Sequence, residues 1–365
     1  MSAPWYKRAS RRDGLKPDLD HVSRDDTTSR PEPTQRRPFA APRRRLGIAG
    51  GPQPAASDML ASEPAADATL FFAEGASRYD AGDFEGAVSA YSRALAIDPG
   101  VVEAWNNLGN ACVRLGRFYD AIAAYERALA IREDVFECWF NLGTAYADIG
   151  SCDDALRCLE RALALKPDAY DVWYNLGFAY AERGELAAAA EAYRHAARLD
   201  PDDYEIWYNL GNACLDLARV TEAVDAFEQA IARRDDDHEV WNNLGTALVV
   251  AERPRDAVTA FRHALALCPT YDPSWSNLGS VLEDVGLLAE ATEAYATAVR
   301  LAPERPTYRL HLASALARGA RPADAVEHIE RALAGAPEIK SLLPGFAEFA
   351  PLLGDPRLAG GASEE

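Results

Sequence analysis

Tryptophan stands at positions 105, 139, 173, 207, 241 and 275, an unbroken interval of 34 residues. Only one of the seven tryptophans, Trp5, lies outside this series. A fixed period of about 20–50 residues restricts a chain severely. Each period is one small unit that cannot bury its apolar face alone, so the units must stack in a row. The architecture therefore has to be read from the unit.

The unit opens with Trp105-Asn106-Asn107-Leu108-Gly109, which returns as Trp139-Phe140-Asn141-Leu142-Gly143 and Trp173-Tyr174-Asn175-Leu176-Gly177. Leu108 and Cys112 follow Trp105 at the three- and seven-residue spacing of one helix face. Gly116 then marks the helix end, with Gly150, Gly184 and Gly286 at the same place in other units. Ala121, Tyr125 and Ala128 give the face of a second helix. In most units a proline follows it: Pro99, Pro167, Pro201, Pro269, Pro303 and Pro337. Glu133 and Asp235 replace that proline, so the second helices before them are expected to run on and the local stacking to loosen.

This pattern resembles the tetratricopeptide repeat. Trp173, Leu176, Gly177, Tyr180, Ala189, Tyr193, Ala196 and Pro201 fill every signature place of that repeat within one unit. Two degenerate units extend the array. The first has Phe71, Gly75, Ala87, Tyr91, Ala94 and Pro99; the last has Leu312, Leu316, Ala325, Ala332 and Pro337, with Arg309 in place of the tryptophan. The resemblance implies an all-α fold, a right-handed α-solenoid of eight 34-residue helix–turn–helix repeats over residues 68–339. Residues 340–365 hold an amphipathic segment (Leu342, Leu343, Phe346, Phe349, Leu352, Leu353) and then a loose tail. A terminal apolar face needs a cover, so the segment is expected to be a capping helix, broken by Pro344 and Pro351.

Residues 1–67 differ in kind. Rich in Arg, Pro, Ser and Asp and without helical period, they are expected to be a disordered basic tail. Residues 1–66 carry 12 Lys/Arg against 8 Asp/Glu, a net of +4, which leaves −23 for the rest of a chain whose total is −19. No aromatic-interleaved basic motif accompanies Arg36-Arg37 or Arg43-Arg44-Arg45, so the tail reads as solvated rather than as a nucleic-acid contact. No apolar run has the length of a transmembrane helix or of a secretory core, which argues against a membrane partner. The six cysteines form neither a Cys-x-x-Cys pair nor a disulfide scaffold. As free thiols of a reducing compartment they point to the cytoplasm.

Chemistry finds little room in such a chain. No phosphate loop, nucleophile elbow or zinc-protease helix is present, so neither enzyme activity, nor a cofactor, nor a metal site is expected. His195 and His263 share one place in two second helices, and Cys112 and Cys214 stand where Tyr146 and Tyr180 stand elsewhere, as apolar fillers.

Function is then sought on the first helices, which line the concave face in tetratricopeptide arrays. Asn107, Asn141, Asn175, Asn209, Asn243 and Asn277 each follow the tryptophan by two places. A carboxamide both donates and accepts, so a row of them suits the backbone of an extended peptide. The row is similar to the asparagine ladder in the repeats of O-linked N-acetylglucosamine transferase, without that enzyme's catalytic domain. Acids flank it. Glu103, Glu137, Asp171, Glu205 and Glu239 lie two places before the tryptophan, and Asp148, Glu182, Asp216 and Asp284 nine places after it, with Glu283 beside the last. A helix dipole favours the first set at helix starts but disfavours the second at helix ends. An acidic groove for a basic segment accounts for both, with Phe140, Tyr174, Tyr208 and Phe178 available to stack on arginine. The same acids exclude the Lys- and Arg-lined carboxylate clamp of chaperone-binding repeats.

The expectation is a scaffold or adaptor that holds an extended, basic protein segment. Two other readings remain open: a structural array that forms homo-oligomers, and a groove occupied by the chain's own basic tail, whose tether raises its effective concentration.

Overall fold

A computed structural model of the protein describes residues 63–359, and every regular element among them is helical. The described chain divides after Asp235 into two compact units. Residues 1–62, most of the predicted basic tail, and residues 360–365, the end of the predicted loose tail, lie outside the described residues.

In the unit ending at Asp235, five hairpins follow one another. They are α1 (Glu63–Asp80) with α2 (Phe84–Ile97), α3 (Val102–Arg114) with α4 (Phe118–Ile131), and α5 (Phe136–Asp148) with α6 (Cys152–Leu165). Then come α7 (Tyr170–Glu182) with α8 (Leu186–Leu199), and α9 (Tyr204–Asp216) with α10 (Val220–Arg233). The second unit holds three more: α11 (His238–Val250) with α12 (Pro254–Leu267), α13 (Asp272–Asp284) with α14 (Leu288–Leu301), and α15 (Pro306–Arg318) with α16 (Pro322–Gly335). Within each unit the partners of a hairpin pack together and each hairpin packs on the next, the arrangement of an α-solenoid. Helix α1 starts at Glu63, inside the segment assigned to the tail.

The two helices of a hairpin cross where glycine meets an aromatic ring. A Cβ on Gly177 would lie 2.7 Å from the Tyr193 ring, and one on Gly211 would lie 2.6 Å from the Phe227 ring. Tyr193 and Phe227 are fully buried. Glycine is thus fixed there by close approach rather than by backbone conformation, the reverse of its role in the turns.

The tryptophans do more than fill space. The indole N–H of Trp105 donates to the Pro99 carbonyl at 2.9 Å, that of Trp173 to Pro167 at 3.1 Å and that of Trp207 to Pro201 at 2.8 Å. Trp275 does the same to Pro269. Each bond ties a first helix to the loop that delivers it. Arg309, where the last repeat lacks tryptophan, donates its guanidinium N–H to the corresponding carbonyl, Pro303, at 3.3 Å. The substitution keeps the donor and changes its carrier.

The run-on expected before Glu133 and Asp235 does not occur. Helices α4 and α10 end at Ile131 and Arg233 and have 14 residues each, the same as α6 before Pro167. Arg132 and Arg234 are extended at φ −145° and −151°. At Glu133 the carbonyl still accepts the Trp139 indole N–H at 2.7 Å, so the loop is held by its acceptor and does not need the proline.

The turns inside the hairpins place glycine in the left-handed region, as at Gly116 with φ +74°. Three turns lack it: Ala218, Glu252 and Ala320 adopt φ +58°, +61° and +57°. A Cβ in this region costs about 1–2 kcal/mol. Ala218→Gly and Ala320→Gly are each expected to raise stability by about 1 kcal/mol once glycine's greater unfolded freedom is subtracted. Urea denaturation of each variant checks this, and no shift in midpoint would show the strain to be absent.

The C-terminal cover differs from the expected α-helix. It consists of 3-10 segments at Pro337–Gly345 and Ala347–Phe349 and a short α17 (Pro356–Ala359). Pro344 and Pro351 cannot donate to an α-helical ladder, so the tighter, shorter turns win. Ile339, Leu343, Phe349 and Leu358 are buried by this path, whereas Leu342 and Leu353 remain exposed.

Candidate functional site

In the unit ending at Asp235, the first helices α1, α3, α5 and α7 pack side by side, each on the next. Helices α3, α5 and α7, and α9 after them, carry the residues singled out in the sequence for this unit, which differ in burial as an inner and an outer layer.

The inner layer is the asparagine row with its aromatic neighbours. Asn141, Asn175 and Asn209 are 1%, 4% and 0% exposed, and Tyr174 and Tyr208 are buried beside them. Their amides are engaged within the protein. Asn141 Nδ2 donates to Asn106 Oδ1 and to Asn110 Oδ1, both at 3.1 Å, which joins α5 to α3. Asn209 Nδ2 donates to the Tyr174 hydroxyl at 3.1 Å, joining α9 to α7, while Asn175 Nδ2 turns back to the Asp171 carbonyl at 2.7 Å. Asn107 is half-buried, within bonding reach of the Tyr91 hydroxyl. In the second unit Asn243 is buried and accepts from Asn242 Nδ2 at 3.2 Å, and Asn277 Nδ2 donates to Asn242 Oδ1 at 3.1 Å.

The asparagines before the row were missed in the sequence. Asn106 and Asn110 take the Asn141 amide, and the Tyr125 hydroxyl also donates to Asn110 at 2.7 Å. Asn242 plays that part in the second unit, where the Ser274 hydroxyl also donates to it at 2.9 Å. Within the asparagine row, Asn141 Oδ1 is buried and has no hydrogen-bond partner among the described residues.

The outer layer is acidic. Asp148, Glu182 and Asp216 are the last residues of α5, α7 and α9, and all three are exposed. At the corresponding place in α3 stands Arg114, whose guanidinium lies 4.2 Å above the Phe84 ring. At the other end of these helices Glu137 and Asp171 are half-exposed and Glu205 is 6% exposed. Glu103 is exposed and pairs with Arg132 at 3.0 Å. In the second unit Glu239 is half-exposed and Asp284 exposed. Thus, among the predicted residues of this unit, Asp148, Glu182, Asp216 and Glu103 are exposed, Glu137, Asp171 and Asn107 are partly accessible, and Asn141, Asn175 and Asn209 are buried.

The reactive side chains are spent on packing. Burial pushes the Cys138 and Cys158 thiols up to about 12, so they stay protonated. His195 and His263 stack on the Trp173 and Trp241 rings at 4.3 and 4.6 Å. Among the described residues no group of three His, Cys, Asp or Glu side chains is placed to hold a metal ion. Among them, too, no helix is long and apolar enough to cross a membrane.

No curated protein sequence matches the chain. Several solved structures are similar to it in part. MamA is 29% identical with a TM-score of 0.44, over 47% of this chain and 93% of that one. YrrB, titled a TPR protein with an unusual peptide-binding site, is 18% identical with a TM-score of 0.48, over 51% of this chain and 96% of its own. The Cut9–Hcn1 assembly of APC/C is 19% identical with a TM-score of 0.45, over 74% of this chain and 53% of that one. Family profiles cover the helical hairpins themselves. The profile described as tetratricopeptide repeat matches residues 72–135, and that described as the cilia and flagella-associated protein 70 C-terminal domain matches residues 133–342. The second match spans 210 of the 365 residues. With the 34-residue hairpins and the glycine–aromatic crossings, these matches show that the chain belongs to the tetratricopeptide repeat family, and over residues 133–342 to the family of the cilia and flagella-associated protein 70 C-terminal domain.

Proposed function

We propose that the protein is a non-catalytic scaffold that holds an extended, basic protein segment across the first-helix face of the unit ending at Asp235. The observation that carries this reading is the exposed set Asp148, Glu182 and Asp216 at the C-terminal ends of three successive first helices. Those ends already bear a partial negative charge, and an acid there costs the helix about 0.3–1 kcal/mol. A cationic chain lying across the three exposed carboxylates would meet each of them in turn.

The inner layer also sets a condition. A peptide that reaches Asn209 must exchange with the Tyr174 hydroxyl, so the asparagine row opens only against existing bonds. The acids therefore supply selection and first contact, and the carboxamides respond afterwards. Fluorescence anisotropy with a Lys/Arg-rich peptide and an acidic peptide of equal length tests this. The basic peptide should bind at least about tenfold tighter at low salt and lose most of that margin at 1 M salt, where the Debye length falls to about 3 Å. Equal affinities, or a preference that salt leaves unchanged, would sink it.

A second reading, self-association, has its own observation. Ile97, Ile131, Leu165 and Leu199 close four successive second helices and are all exposed, at 37–46%. Such a line suits a second copy of the chain. Sedimentation velocity over a concentration series decides, and a strict monomer at high concentration removes this reading.

A further inference from the structure

The second unit ends in an unequal cluster of charges. Glu283 lies in the last turn of α13, with its side chain only 14% exposed. Its Oε1 is buried and has no hydrogen-bond partner; Arg318 Nη1 stands 3.3 Å away. The Tyr295 hydroxyl of α14 donates to Oε2 at a long 3.5 Å. One turn before Arg318 on α15, the Ser314 hydroxyl donates to Glu348 Oε1. Residues four apart on a helix share a face. One turn of α15 therefore receives a carboxylate from α13 and another from the C-terminal cover, and Asp284 adds a third charge beside Glu283. Glu283 faces the Arg318 guanidinium, and Glu348 takes the Ser314 hydroxyl one turn before it. The cover has its own reason to sit there, since Phe349 is fully buried next to Glu348.

We propose that this cluster is a pH-dependent latch: the C-terminal cover, residues 337–359, docks on the last hairpin when Glu283 is protonated and loosens when it ionises. The cover brings Glu348 towards a carboxylate whose Oε1 accepts no hydrogen bond and whose Oε2 takes only the long Tyr295 bond, so docking and ionisation oppose each other. The direction agrees with the cluster's electrostatics. Burial above all lifts the Glu283 carboxyl to about 7, against the Arg318 charge and the Tyr295 bond, and the Glu348 and Asp284 charges lift it further. A carboxyl whose docked value lies above its open-form value favours the docked form fully below that open-form value, and the contribution is lost as pH rises through the docked value of about 7. His311, on the same face of α15, works on another range. Burial holds it down to about 4, so it stays neutral above that value. Its ring lies 5.6 Å from Tyr295 and 3.5 Å from the Ser276 hydroxyl.

Hydrogen exchange of the full chain, corrected for intrinsic rates, measures the latch directly. Amides in 337–359 should lose about tenfold in protection between about pH 5 and about pH 8, the factor that one pKa unit between docked and open forms gives. Helices α13 and α14 should change far less. Glu283→Gln mimics the protonated acid and should keep full protection at both values. Glu348→Gln, on the cover itself, should shrink the step without disturbing the hairpins. Unchanged protection in the native chain, or a full step in either variant, would overturn the proposal.

Discussion

Tyr193→Ala is expected to destabilise the unit ending at Asp235 by about 3–5 kcal/mol, the cost of emptying a large aromatic site in a packed core. Tyr193 is fully buried on α8, and its ring lies against Gly177 on α7 and 5.8 Å from the Tyr174 ring. Both neighbours thus lose their partner at once, and a rigid hairpin cannot collapse to fill the space. Gly177→Ala attacks the same contact from the other side. The new methyl would lie 2.7 Å from the ring, and overpacking of this kind costs about 1–3 kcal/mol. Tyr119, 76% exposed at the start of α4, is the control, and its replacement by alanine should change stability by less than about 0.5 kcal/mol. Chemical denaturation followed by circular dichroism ranks the three. Because each repeat touches only its neighbours, the Tyr193 loss should also appear as local exchange in α7 and α8. A Tyr193→Ala midpoint equal to that of the Tyr119 variant would contradict the packing described.

The period of the tryptophans was enough to reveal the hairpins, because sequence spacing and helical geometry share one arithmetic. Gly177 and Tyr193 were legible for the same reason: a residue without a side chain facing an aromatic sixteen places on is a close crossing. What the sequence concealed lies between repeats. Asn141 and Asn175 occupy the same place in their units, yet one bonds across to α3 and the other back to its own helix. The helix before Asn141 offers Asn106 and Asn110, whereas the helix before Asn175 carries Phe140 and Thr144 at those places, and spacing within one unit holds no record of that. The indole bond was hidden too, since its acceptor is a backbone carbonyl present at every residue. Arg309 shows how this could be suspected, as a donor retained where the ring is lost. The cover misled through its composition: an amphipathic pattern suggested an α-helix, and two prolines made it a pair of 3-10 segments.

Reversal of the outer charges should have the largest effect on binding. Asp148, Glu182 and Asp216 are exposed, so each contact with a cationic residue is worth only about 0.2–1 kcal/mol and is screened by salt. Changing all three to lysine removes three attractions and installs three repulsions, together about 3 kcal/mol, or roughly a hundredfold in Kd. The substitutions lie at helix C-termini, where lysine complements the dipole, so the fold should be unharmed and slightly stabilised. That separates this variant from any that weakens binding by unfolding the array.

The decisive measurement is the affinity of the Asp148→Lys, Glu182→Lys, Asp216→Lys chain for the basic and acidic peptides, beside the native chain at the same low salt. An acidic first-helix face requires the preference to invert, with the basic peptide weakened about a hundredfold and the acidic one strengthened. A variant that stays folded and still binds the basic peptide as the native chain does would contradict it.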